Sequence, residues 1–106
     1  MPQNNQALFL IHRTLPGRRD DVRTVWMEHM SPAVEANPDH LAYAYCFDQA
    51  DDDVICVFQM YRDAAAAQTF LNHQSYRRYL VAVEPLLVGP PEFHSSTPAW
   101  TKGIAP

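Results

Sequence analysis

The 106-residue chain lacks several features that would assign it to a common class of protein. It contains no uninterrupted apolar run of about 18 residues, so no membrane-spanning helix is expected. Its net charge is −4 and its arginines form no basic block, which disfavours nucleic-acid binding. Its two cysteines are not in a metal-type spacing, and its three glycines form no phosphate-binding loop. We therefore expect no metal and no cofactor.

The cysteines and the N-terminal residues also indicate the cellular location of the protein. Cys46 and Cys56 fall on neighbouring predicted strands, and we expect buried free thiols because unpaired cysteine packs as a small apolar group. The N-terminal residues are polar and do not resemble the apolar core of a signal peptide. These features predict a cytoplasmic protein that does not act at a membrane.

Local signals divide the chain into strands and helices. Pro16-Gly17 is a turn after a first strand, and Asp63 marks a helix start after an apolar strand. Pro32 lies inside a helical run and removes a hydrogen bond there, which predicts a kink or a new helix capped by Ser31. The predicted order is β-α-β-β-α-α-β, a split βαβ pattern. We expect one domain over residues 1–96 and a tail over residues 97–106.

The second and third predicted strands, residues 40–48 and 54–61, are apolar on both faces. Helices can cover only one face of a four-stranded sheet, and the other face would then expose a large apolar patch. We therefore expect a homodimer in which two sheets pack face to face. Trp100 in the tail either packs on the partner subunit or is disordered.

Four short motifs follow one another in a characteristic order along residues 8–93. They are R-x-x-P-G-R before the first helix, P-x-x-L before the second strand, the aromatic-acid pair Tyr61 and Asp63, and L-L-x-G-P-P-E before the last strand. In this order they resemble the antibiotic biosynthesis monooxygenase family of the dimeric α+β barrel superfamily. The resemblance implies an α+β, ferredoxin-like fold: a four-stranded antiparallel sheet, helices on one face, and a cavity between the two layers.

The resemblance also implies a reaction. Its oxygenase members oxidise phenolic, hydroquinone or anthrone-type polyketide substrates to quinones with dioxygen, without metal or flavin. Such a reaction needs an apolar pocket, a base for the phenol and a donor that stabilises the oxyanion. The alternative is a non-redox protein on the same dimeric scaffold, which binds a small aromatic ligand or acts as an isomerase or cyclase. Genomic neighbours would separate the two.

Candidate site residues follow from the resemblance and from strand and helix periodicity. Tyr61 takes the place of a family tryptophan, whereas Gln59 and Val57 replace a glutamate and an asparagine. Tyr45 and Arg78 match a family tyrosine and arginine. The predicted catalytic residues are His12, Tyr61 and Arg78, and the predicted substrate-binding residues are Tyr45, His29, Trp26 and Gln59.

Several of these residues have a second interpretation. His12 has the strand parity of Leu8 and Leu10, so it is either a base in the cavity or a strand-end histidine. His29 lies on the apolar stripe of its helix and is either a site residue or a core histidine. Arg78 lies roughly opposite the apolar face of its helix, which suits a solvated or dimer-facing arginine as well as an oxyanion stabiliser.

Two further expectations concern histidines. His40 and His94 flank strands and are expected at the surface. The superfamily's haem-degrading branch needs a haem-ligating histidine at the position of Leu80, which disfavours haem here.

Overall fold

The computed structural model describes residues 5–103. The elements are β1 (Gln6–Arg13), α1 (Arg19–His29), α2 (Ser31–Ala36), β2 (His40–Phe47), β3 (Val54–Tyr61), α3 (Ala64–Leu71), α4 (Gln74–Val83), the 3-10 turn Glu84–Leu86 and β4 (Glu92–Ser96). The predicted order is confirmed, and the first helical run is split in two at the proline. Those predictions that rest on residues 1–4 or 104–106 lie outside the described residues.

The four strands form one antiparallel sheet in the order β2-β3-β1-β4. Alternate residues of the two central strands point into a shared core with the helices; they include Leu8, Leu10, Ile55 and Val57, all almost fully buried. Helix α1 adds Val22 to this core. The protein therefore has the predicted α+β, ferredoxin-like fold with its helices on one face.

Local chemistry sets the helix ends. The Asp63 side chain accepts a hydrogen bond from the backbone N–H of Ala66 at 2.7 Å, which caps α3. Helix α1 ends where the N–H of Met30 bonds the carbonyl of Trp26 at 2.7 Å. Pro32 then occupies the first turn of α2, where a missing N–H costs nothing. The resulting bend between α1 and α2 forms one wall of a groove described below.

The start of α1 is tied to the loop between β2 and β3. The Arg19 guanidinium donates to the backbone carbonyls of Asp48, Asp51 and Val54 at 2.9, 2.9 and 3.2 Å. It also lies 4.2 Å from the centre of the Phe47 ring. One arginine thus fastens the helical layer to the hairpin.

The helix-free face of the sheet is apolar and partly exposed. Phe9 is 44% exposed there and packs on Phe58, with 5.2 Å between ring centres. Cys46 and Cys56 are free and lie opposite each other on this face; Cys46 is exposed and Cys56 half-buried. The expectation of buried thiols was therefore wrong, because alternation cannot show which of two apolar faces the helices cover.

Strand β2 contains an extra residue near its start. Its pairing with β3 shifts between His40 opposite Tyr61 and Ala42 opposite Met60, as in a β-bulge. The bulge brings His40 to the helix-facing side, where its ring centre lies 4.4 Å from those of Tyr61 and Phe70. His40 is half-buried, so the prediction of a surface histidine was wrong.

No helix within residues 5–103 is long and apolar enough to cross a membrane. Residues 97–103 form no helix or strand, and Trp100 is 80% exposed.

Candidate active site

Two cavities lie on the helical side of the sheet. The inner chamber, between the sheet and helices α1 and α4, has a volume of about 10 Å³, enough for roughly one water molecule. The outer groove, between the α1–α2 bend and helices α3 and α4, has a volume of about 560 Å³. Phe70 lines both cavities and is 5% exposed. Its ring therefore separates a ligand-sized groove from a small buried chamber.

A buried histidine lies in the inner chamber. His12 is 2% exposed, and its Nε2 lies 2.8 Å from the Tyr79 hydroxyl on α4. Its Nδ1 is buried and has no hydrogen-bond partner within residues 5–103. Burial lowers the pKa of His12 from 6.5 to about 4, so the imidazole is neutral near pH 7. The chamber thus contains a neutral imidazole with one unpaired nitrogen.

Aromatic side chains form another wall. Trp26 Nε1 donates to the Tyr43 hydroxyl at 3.1 Å, and both residues line the inner chamber. Tyr45 packs on Trp26 with 4.8 Å between ring centres, and its buried hydroxyl has no partner within the described residues. Tyr45 lines neither cavity. Burial raises the pKa of both tyrosines, so their hydroxyls stay protonated at neutral pH.

A chain of polar side chains runs from the outer groove to the inner chamber. Asn37 lines the groove, and its Nδ2 lies 2.9 Å from His40 Nδ1. His40 Nε2 lies 3.4 Å from Gln59 Oε1, and the Tyr61 hydroxyl donates to the same oxygen at 2.5 Å. Gln59 is 4% exposed and lines the chamber. Burial lowers the pKa of His40, although the bond to Gln59 and the charge of Asp39 oppose this.

The predicted site residues are therefore divided among different places. His12, Trp26 and Gln59 line the inner chamber. Arg78 and half-buried His29 line the outer groove instead, and Arg78 is exposed. Tyr61 is fully buried beside Gln59 and lines neither cavity. The groove also carries the carboxylates Glu28 and Asp39, so its charge is mixed.

Three residues of the site were not among the predicted ones: His40, Tyr43 and Tyr79. Tyr79 could have been found, because Tyr76, Tyr79 and Val83 follow helical spacing and are the buried residues of α4. His40 could not, since the bulge that turns it inward depends on strand pairing. Within residues 5–103, no three His, Cys, Asp or Glu side chains are grouped to hold a metal ion.

Comparison with known proteins places this geometry in a family. Residues 11–81 match the family model for antibiotic biosynthesis monooxygenase. A crystal structure of a proposed antibiotic biosynthesis monooxygenase from Chloroflexus aurantiacus is 24% identical, with a TM-score of 0.78 over 95% of this chain and 99% of that one. A protein of unknown function from Nitrosomonas europaea is 21% identical, with a TM-score of 0.83 over 98% of each chain.

A third structure, a proposed antibiotic biosynthesis monooxygenase from Caulobacter crescentus, has a TM-score of 0.84 at 14% identity over 92% of each chain. At these identities the solved structures support the fold alone. No curated protein matches the chain. The family model spans 71 of the 106 residues, from residue 11 to residue 81. The chain belongs to the antibiotic biosynthesis monooxygenase family.

Proposed function

We propose that the protein is a cofactor-independent monooxygenase that oxidises a phenolic, hydroquinone or anthrone-type aromatic substrate to a quinone with dioxygen. For an anthrone, one oxygen atom replaces the two hydrogens of the ring methylene and the other leaves as water. Family membership supports the reaction class. The observation that carries the proposal is the unpaired Nδ1 of neutral, buried His12 in an aromatic-walled chamber.

His12 is the proposed base. For its Nδ1 to accept the phenol proton, its Nε2 must carry hydrogen and donate to the Tyr79 hydroxyl. Tyr79 thereby sets the tautomer and holds the ring in place. The phenolate that remains can transfer an electron to dioxygen, which starts the oxidation.

Burial keeps the His12 imidazole unprotonated at neutral pH, so that it can accept a proton. The same burial lowers the pKa of the imidazole and makes it a weaker base. Phenols ionise near pKa 10, about six units above the pKa of about 4 at His12, so proton transfer alone costs roughly 8 kcal/mol. The phenolate formed beside the imidazolium raises the histidine pKa and recovers part of this cost. The remainder requires a hydrogen-bond donor for the phenolate.

Substrate size places the ring in the outer groove. The groove has the volume of a small-molecule site, whereas the chamber cannot hold an aromatic ring. The reacting hydroxyl reaches His12 once Phe70 rotates away from the boundary between the two cavities. Arg78 and His29 would contact the periphery of the substrate in the groove. Tyr61, Trp26 and Tyr45 support the chamber wall.

The test is aerobic turnover of an anthrone and of a naphthohydroquinone in EDTA, with isotopically labelled dioxygen and a protein-free blank for autoxidation. We expect one labelled oxygen atom in the quinone formed from the anthrone. The naphthohydroquinone should give an unlabelled quinone, because its oxidation removes two hydrogens and reduces dioxygen to hydrogen peroxide. His12→Ala should lower the rate about 10²-fold or more, the usual range for one general base. His29→Ala should lower the rate far less, because this residue would contact only the periphery of the substrate. Near-full turnover by His12→Ala, or turnover abolished by chelation and restored by one metal, would refute the mechanism.

A second candidate function is binding or non-redox conversion of a small aromatic ligand. Gln59 and Val57 stand where the family resemblance places a glutamate and an asparagine, and this difference favours it. Stoichiometric binding of the same aromatics, with no oxygen consumed above the blank, would establish this alternative.

We also propose that the working form is a homodimer. Members of this family are often dimeric. Exposed Phe9 and the neighbouring apolar residues of the helix-free face would be buried by a second copy of the sheet.

A further inference from the structure

Hydrogen-bond directions along the polar chain follow from its first residue. Asn37 Oδ1 accepts from the backbone N–H of Asp39 at 3.2 Å, so its amide nitrogen faces His40. That nitrogen can only donate, and His40 Nδ1 must therefore be an unprotonated acceptor. A neutral imidazole with a bare Nδ1 carries its hydrogen on Nε2. His40 consequently presents an N–H donor toward Gln59.

The orientation of the Gln59 amide follows in turn. His40 Nε2–H and the Tyr61 hydroxyl both approach Gln59 Oε1, at 3.4 and 2.5 Å, and an oxygen is the atom that can accept both. The NH₂ group of the amide must then lie on the other side. Within residues 5–103 the hydrogen bonds of the Gln59 side chain are the two to Oε1, and Gln59 lines the inner chamber.

We propose that the Gln59 NH₂ group is the oxyanion donor of the site, which binds the phenolate oxygen of the substrate, and that His40 and Tyr61 are the residues that position it. This inference rests on the proposed phenol oxidation. An oriented donor in a chamber with little water stabilises a developing anion strongly. It supplies the hydrogen bond that the weak base His12 requires.

The proposal narrows the substrate class. The ligand must present an ionisable hydroxyl or a carbonyl oxygen to the chamber, because an aryl ether would not accept this hydrogen bond as well. The choice of glutamine rather than glutamate at position 59 also matters for binding the anion. A glutamate there would repel the phenolate, whereas the amide attracts it.

The test uses a hydroxyanthraquinone, which is already oxidised and changes colour when its phenol ionises. The apparent pKa of the bound dye is read from absorbance titrations of the complex. Removing a hydrogen bond to a charged group should raise this pKa by about one to two units in Gln59→Leu. Gln59→Glu should raise it further. Gln68→Leu, the same substitution at an exposed position of α3, is the matched control and should leave the pKa unchanged.

Variants of the positioning residues separate orientation from folding. Tyr61→Phe and His40→Ala should each raise the bound-dye pKa by less than Gln59→Leu. His40→Gln, which keeps an N–H donor, should restore part of the shift. If Gln59→Leu does not fold, Tyr61→Phe removes only a hydroxyl and still tests the proposal.

The possible outcomes are distinct. An unchanged bound-dye pKa in folded Gln59→Leu or Tyr61→Phe overturns the proposal, and so does failure of the wild-type protein to bind the dye. A Gln59-dependent pKa in a protein that consumes no oxygen with anthrone supports the oxyanion site while refuting the oxidation. The dye experiment can therefore refute the oxyanion site without refuting the proposed oxidation, and the oxygen measurement can do the reverse.

Discussion

The buried state of His12 predicts a specific loss of stability in acid. Its pKa is about 4 in the folded protein and 6.5 when solvated. Between these values the unfolded chain binds a proton at this histidine and the folded chain does not. Stability therefore falls as the pH drops from about 6.5 to about 4, and His12 contributes no pH dependence above that window. The gap corresponds to roughly 3 kcal/mol, a large share of the 5–15 kcal/mol typical of a domain.

The measurement is urea unfolding of the wild type and His12→Gln near pH 7.5 and near pH 4.5. Between these pH values the wild type should lose about 2.5 kcal/mol more than His12→Gln. Because His12→Gln also loses the bond to Tyr79, only the change with pH is compared, not the stability at one pH.

Two results would refute the reasoning. One is the same pH dependence in His12→Gln and the wild type. The other is a His12 ring resonance that titrates near 6.5 in nuclear magnetic resonance spectra of the folded protein. Either would mean that the imidazole is solvated, and the argument for a neutral buried base would fail with it.

Three further predictions concern assembly, the cap of α3 and access to the chamber. Analytical ultracentrifugation at micromolar protein should show twice the chain mass, and Phe9→Lys on the helix-free face should shift it toward monomer; a wild-type monomer would contradict the dimer. Asp63→Ala should reduce the free energy of unfolding by about 1 kcal/mol with little effect on ligand binding, because it removes a helix cap and an exposed ion pair with Arg62 that contributes little; no change in urea midpoint would show that the cap contributes nothing. Phe70→Leu should raise the rate of hydroxyanthraquinone binding in stopped-flow absorbance, since a smaller side chain separates groove from chamber; an unchanged rate would place the entry route elsewhere.

Sequence predicted the elements of this fold because the signals at their ends act over a few residues. Pro32 sits in the first turn of α2, and Asp63 bonds a backbone N–H three residues away. The alternation of side chains along β1 also correctly predicted that His12 points toward the helices. For Arg78, helical periodicity gave the right orientation: the side chain is exposed in the groove and does not line the chamber.

The rest of the site depends on contacts between distant parts of the chain. Tyr79 bonds His12 across 67 residues of sequence, and no local pattern encodes that pairing. His40 faces inward only because β2 takes up one extra residue against β3. Such a bulge shifts the faces of a strand and leaves its composition unchanged, so periodicity assigns residues on either side of it to the wrong layer.

The arrangement of charge in the site explains why these distant contacts matter for function. A strong base would need solvent or a carboxylate beside it, and the described residues give His12 only a tyrosine hydroxyl. For the proposed oxidation the protein therefore has to favour the phenolate by holding it, with the Gln59 amide on one side and the His12 ring on the other. Holding requires orientation, and this is the role proposed for the two bonds that Tyr61 and His40 make to a single oxygen of Gln59. On this argument the effects of His12→Ala and Gln59→Leu on turnover should not add, because each residue acts on the same proton transfer.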